Sequence, residues 1–208
     1  MSSEIFLHPI KAILFDLDGT LVHSALDFKQ IRKDIACPEG QDVLSYVEQL
    51  SHEEKLNAEE IIRQHELDDA HAAQVIQGAS YLLERLETYG LKTAIVTRNS
   101  QVATQIKIQK SGLKVQQILT REDAPAKPSP DGLLHFSKLW NLQPQDCVYV
   151  GDYLYDLQAA NNANMHACLY LEKTGLELPY YANLADFICQ NFDDFEQHLA
   201  TYLNEISR

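Results

Sequence analysis

Short apolar runs recur along this chain at residues 11–17, 91–97, 115–120, 147–151 and 166–171. Helix-length segments at 100–111, 131–140 and 154–163 separate the later ones. Strands that alternate with helices build βαβ units, so the pattern predicts an α/β fold: a Rossmann-like parallel sheet with helices on both faces. The runs AILF and TAIV are apolar throughout instead of alternating with polar residues, as strands covered on both faces require.

Residues 23–78 break this rhythm. They contain no convincing strand, and Val43, Leu44, Val47 and Leu50 fall at helical spacing, while 58–77 runs without Gly or Pro. The expected organisation is a core formed by 1–22 and 79–208, with a small all-helical insertion at 23–78. A chain of 208 residues, 45% of them hydrophobic, can fill one core and a small accessory one. The stretch 193–207 opens with acids suited to a helix N-terminus and spaces Phe195, Leu199, Leu203 and Ile206 along one face, which predicts a closing helix packed on the sheet.

Seventeen basic against thirty acidic side chains give a formal charge of -13, so phosphate backbones and anionic membrane surfaces are repelled. Nucleic acid and membrane are therefore not expected partners. Cys37, Cys147, Cys168 and Cys189 are too widely spaced for zinc or redox motifs and are expected as reduced, buried side chains. The first residues, MSSEIFLHPIK, lack the charged start and apolar stretch of a secretory leader, and no run of eighteen apolar residues occurs. A cytoplasmic location is expected, and with no sign of a dimer interface, a monomer.

Ligands of open parallel sheets bind beyond the carboxyl ends of the strands, so polar residues there matter most. Asp16 and Asp18 end the first run, Thr97, Arg98 and Asn99 the second, Lys127 follows the third in PAKPSPD, and Asp152 and Asp156 follow the fourth. Asp16 and Asp18 are two apart, hence on one side of an extended chain, where they repel unless a cation stands between them. Alone, Asp-Leu-Asp-Gly is compatible with a solvated turn. With a lysine and further acids at neighbouring strand ends, the set suits attack of a carboxylate on phosphorus, assisted by a hard divalent cation. Two unit charges at 4 Å interact by about 4 kcal/mol at an effective dielectric near 20, so neutralising such a site changes rates by orders of magnitude.

DLDGT at 16–20, VTRN at 96–99, Lys127 with PSPD, and GDYLYD at 151–156 resemble the four ordered motifs of the haloacid dehalogenase superfamily. The resemblance implies Asp16 as nucleophile and Asp18 as general acid and base, with its backbone carbonyl also on Mg²⁺. Thr97 would be the phosphate-binding hydroxyl, joined by Arg98 and Asn99, and Lys127 the lysine that steadies nucleophile and phosphate. Asp152 would hold the metal, and Asp156 would orient Lys127 or a metal-bound water. The insertion at 23–78 resembles the helical type 1 cap of the phosphoglycolate phosphatase-like branch.

Because halide departs without a proton, Asp18 points to an alcohol leaving group and away from dehalogenation. The expected activity is a Mg²⁺-dependent phosphatase acting on a small phosphomonoester, phosphoglycolate-like or a sugar phosphate. Phosphoryl transfer of the β-phosphoglucomutase type, or a non-catalytic binding protein of this fold, are the alternatives. The chain departs from the branch at His23, Tyr153 and Asn164, where an acid, a small residue and Gly are usual. Of the basic residues in the insertion, Lys29, Arg32, Lys33 and Arg63 are read as a solvated face.

Overall fold

The computed structural model describes residues 9–172 and 177–206. The expectation of no leader within residues 1–8 and the end of the closing helix at Ser207 lie outside the described residues. Strand β1 (Ala12–Phe15) is followed by the two-residue strand β2 (Val22–His23), by helices α1 (Phe28–Asp34), α2 (Val43–Val47) and α3 (His52–Ala72), and by strand β3 (Gln74–Val75). The chain continues through α4 (Ala79–Thr88), β4 (Lys92–Val96), α5 (Gln101–Ser111), β5 (Ile118–Leu119) and α6 (Asp131–Leu139). It ends with β6 (Cys147–Gly151), α7 (Leu154–Asn162), β7 (His166–Tyr170), β8 (Phe187–Cys189) and α8 (Phe192–Ile206).

Six strands form one parallel sheet in the order β5-β4-β1-β6-β7-β8. Because strand side chains alternate, Ile13, Phe15, Ile95, Val148 and Val150 enter a core shared with α4 and α8, while Ala12, Leu14, Ala94, Val96 and Tyr149 enter a second core with α6 and α7. Both faces are therefore covered, and the apolar runs are explained. All four cysteines are free and buried, and no described helix is long and apolar enough to cross a membrane.

Helices α1–α3 pack around their own apolar cluster of Ile31, Ile35, Cys37, Val43, Val47, Ala58 and Ile62. Asp27 caps α1 by accepting from the Lys29 and Gln30 amides at 3.0 and 2.9 Å, and Asp42 caps α2 by accepting from Ser45 at 2.9 Å. The segment leaves and re-enters the core through β2 and β3, which pair antiparallel as Val22 with Val75 and His23 with Gln74.

Some expectations need correction. The insertion does contribute a strand: Gln74–Val75 belongs to a ladder whose partner is Val22–His23, far earlier in the chain, so the helix expected over 58–77 stops at Ala72 and starts at His52. Tertiary pairing overrides helical propensity there. The strand expected over 115–120 is regular only at Ile118–Leu119, at the sheet edge. Strand β8 and helix α4 are further elements that the reading of the runs does not assign.

Candidate active site

The backbone pairing carries one residue beyond two strands. The Asp16 amide donates to the Val150 carbonyl at 2.8 Å and the Thr97 amide to the Leu119 carbonyl at 2.9 Å. Since β4, β1 and β6 are neighbours, Thr97, Asp16 and Asp152 emerge side by side at their carboxyl ends. Asp156 joins them from the first turn of α7. One oxygen from each of Asp16, Asp152 and Asp156 can be chosen so that all lie within 4.8 Å of one another.

Lys127, buried beneath this cluster, stands 2.8 Å from Asp16 Oδ1 and 2.6 Å from Asp156 Oδ1. Its ammonium also donates to the Tyr149 hydroxyl at 2.7 Å, which in turn donates to the Val96 carbonyl at 2.8 Å. The second Asp156 oxygen accepts from the Tyr153 amide at 2.9 Å. Two glycines make room for the acids. A Cβ on Gly19, whose φ is +73°, would stand 2.3 Å from Asp152 Oδ2, and one on Gly151 would stand 2.3 Å from Asp156 Cβ.

Crowding of carboxylates has a clear electrostatic signature. Burial pushes the Asp16 carboxyl from 3.8 up to about 7, with Lys127 pulling it back and the charges of Asp156 and Asp18 pushing further. Burial, then Asp156 and Asp16, lift Asp152 well above the carboxylate range. For Lys127 burial alone would depress the ammonium, but the carboxylates of Asp156 and Asp16 outweigh it and hold its pKa raised. Asp16 Oδ1 is buried and receives no hydrogen bond of good geometry among the described residues beyond that ion pair. Three acids sharing one lysine, with oxygen donors only, fit a hard divalent cation of the Mg²⁺ type.

Asp18 takes a different neighbourhood from the one expected. Its two oxygens each lie 2.6 Å from the ammonium of Lys107, a residue of α5, and Asn99 Nδ2 donates to Oδ2 at 2.8 Å. The pair of acids in DLDGT is thus served by two lysines, Lys127 at Asp16 and Lys107 at Asp18, where the sequence led us to expect one. Lys107 shares the buried face of α5 with Ala103 and Thr104, a spacing too weakly apolar to mark it in the sequence.

The other expected residues line the same cavity of about 410 Å³, which the core bounds with Asp16, Asp18, Thr97, Arg98, Asn99 and Asp152. Leu26, Phe28, Ile31, Val43, Leu44 and Ile62 form an apolar wall opposite. Thr97 Oγ1 accepts from the Asn99 amide at 3.2 Å, and Ser100 caps α5. The Asn99 amide group is turned to Asp18, and Arg98 reaches to Asp42 at 2.6 Å while lying 4.4 Å over the Tyr155 ring. Both donors expected to meet phosphate are therefore engaged by acids. His23 points outward, its Nδ1 3.9 Å from Glu172. Among the basic residues of the insertion Arg32 lines the cavity, whereas Arg63 pairs with Glu60 at 2.5 Å.

Comparison with known proteins bears on the family and the fold. The family model of the haloacid dehalogenase-like hydrolases matches residues 13–170. A haloacid dehalogenase-like hydrolase domain-containing protein of Arabidopsis thaliana is 32% identical over 178 residues, covering 80% of this chain and 72% of its own. A phosphoglycolate phosphatase of Xanthomonas campestris pv. campestris is 28% identical over 177 residues, covering 74% and 80%. The crystal structure of a hydrolase from Pseudomonas syringae superposes with a TM-score of 0.76 at 25% identity, over 92% of this chain and 98% of that one.

Proposed function

The chain belongs to the haloacid dehalogenase-like hydrolases, and from that footing we propose that it is a Mg²⁺-dependent phosphomonoesterase acting on a small phosphorylated metabolite. The observation that carries this reading is the partly buried cluster of Asp16, Asp152 and Asp156 beside the buried Lys127, with Asp18 held next to it. Residues 23–78 act as a cap over the site, and the protein works as a cytoplasmic monomer. The phosphatase names of relatives support phosphoglycolate-like or sugar-phosphate esters as the substrate class.

In this reading Asp16 attacks phosphorus, and the bond from phosphorus to the ester oxygen breaks. Asp18 gives a proton to the departing alkoxide. Burial raises the Asp18 carboxyl against the pull of Lys107 and Asn99, which helps it carry that proton. In the second half Asp18, now ionised, takes a proton from water as the oxygen attacks the aspartyl-phosphate, freeing inorganic phosphate and restoring Asp16. Lys127 and the Thr97 hydroxyl hold phosphate oxygens, and Lys127 keeps Asp16 aimed. Asp16 and Asp152, with the Asp18 backbone carbonyl and with Asp156 close by, would hold Mg²⁺, which would supply the positive charge a carboxylate needs to approach a phosphate dianion.

Phosphate release from a panel of small phosphomonoesters, with Mg²⁺ and with chelator, tests the reading beside Asp16→Asn. Release should need Mg²⁺ and fall at least about a thousandfold in the variant. Isomerisation of a sugar phosphate without phosphate release would replace it with the mutase, and inertness of the folded, Mg²⁺-loaded protein would overturn it.

A further inference from the structure

The ammonium of Lys107 is fully buried and makes three contacts at 2.6 Å, to Asp18 Oδ1, Asp18 Oδ2 and Asp69 Oδ2. These account for all three of its N–H donors. Asp69 lies in α3, near the point where the helical segment returns to the core. Its own oxygens also accept from the Ser24 hydroxyl at 2.9 Å and the Ala25 amide at 2.6 Å, where the segment departs. One ammonium therefore joins the acid of the DLDGT loop to both ends of the cap.

We propose that Lys107 is a positioning residue: it fixes the Asp18 carboxylate toward the cavity and ties that orientation to the closed cap through Asp69. The inference rests on the reading of Asp18 as the acid that protonates the leaving alcohol. Stability alone does not explain the arrangement, because buried ion triads are often neutral or unfavourable relative to apolar residues of the same volume. Asn99 gives Asp18 one hydrogen bond, which leaves the carboxylate free to rotate about it. Lys107, meeting both oxygens, removes that freedom.

A positioned acid matters only when the leaving group needs a proton. An alkoxide does, whereas a nitrophenolate departs as a stable anion. The specificity constant kcat/KM reports the steps up to departure of the leaving group, so later hydrolysis of the aspartyl-phosphate does not enter. Lys107→Met should lower kcat/KM for an alkyl phosphate by about a hundredfold, the range general acid catalysis contributes, and leave kcat/KM for p-nitrophenyl phosphate within about threefold. Asp69→Asn, which keeps the shape of the side chain, should lower the alkyl value about tenfold and spare the aryl value. It carries the test if Lys107→Met does not fold.

Equal loss on both esters, or no loss on either, would overturn the role of Lys107 while leaving the phosphatase reading intact. Failure of the wild-type protein to hydrolyse any ester would overturn that reading and this inference with it.

Discussion

At the scale of single residues, the site stores negative charge that the fold can only partly neutralise. The Asp16 carboxyl moves from 3.8 to about 7 on folding, chiefly through burial, so between those values the folded protein holds a proton that the unfolded chain has released. Stability without metal should therefore fall as pH rises from about 4 to about 7, the opposite of a carboxylate whose pKa is depressed. Asp152 is shifted in the same direction and adds to the effect. Thermal unfolding in chelator should give a lower Tm at pH 7.5 than at pH 5, with Mg²⁺ raising Tm more at pH 7.5, because the cation binds the ionised acids. A Tm insensitive to Mg²⁺ at both pH values would count against a cation site at this cluster. The placement of Asp16, Thr97 and Asp152 was legible in the chain because strand ends in a parallel sheet can be located from apolar runs, whereas Lys127 and Asp156, in a loop and a helix, were singled out by their motifs. Lys107 was not, since QVATQIKIQKS reads as an ordinary surface helix and only packing decides which of its lysines turns inward.

At the scale of elements, α4 and α8 cover one face of the sheet and are clamped by a polar contact as well as by apolar packing. Arg85 of α4 meets Glu196 of α8 at 2.9 Å, and the Tyr89 hydroxyl donates to the same carboxylate oxygen. The hydrogen bond from Tyr89, then the one from Arg85, hold the Glu196 carboxyl below its usual range. Glu196→Gln leaves both donors a weaker acceptor and should cost about 1–3 kcal/mol, seen as a lower urea midpoint with an unchanged m value. No change in midpoint would mean that apolar contact alone holds α8. Strands β1, β4, β6 and β7 were legible because burial on both faces leaves a continuous signal, whereas β5, a two-residue half-buried edge strand, was located only as part of a longer run. Phe187–Cys189 is too short for one, and β2 and β3 are strands only because the fold sets them side by side. Helix α4 does carry helical spacing in Ala79, Leu82, Leu83 and Leu86, so its absence from the sequence reading was not forced by the physics.

At the scale of the whole molecule, the helical segment and the sheet meet through opposite charges. Arg98, Lys107 and Arg121 on the core face Asp42, Asp69 and Glu66 on the segment. A chain carrying -13 overall has thus placed three of its cations against acids at this one boundary. Asp42→Asn combined with Glu66→Gln should loosen the contact without touching Lys107. Hydrogen exchange should then quicken by about tenfold or more in α1 and α2 while β1 and β6 stay protected. Uniform quickening across both parts would instead mean that the segment and the sheet open as one unit.

The short ladder of β2 and β3 sets how such loosening can proceed. Two paired strands form a ribbon, which bends readily out of its own plane and resists bending within it. A body carried on a ribbon sweeps an arc about one axis instead of wobbling in every direction. Asp69, holding the amide of Ala25 at the ribbon's far end, shortens the free length over which that bending occurs. A hinge of this form would, after any opening, return the apolar wall to the same register above Asp16, much as a door returns to its frame.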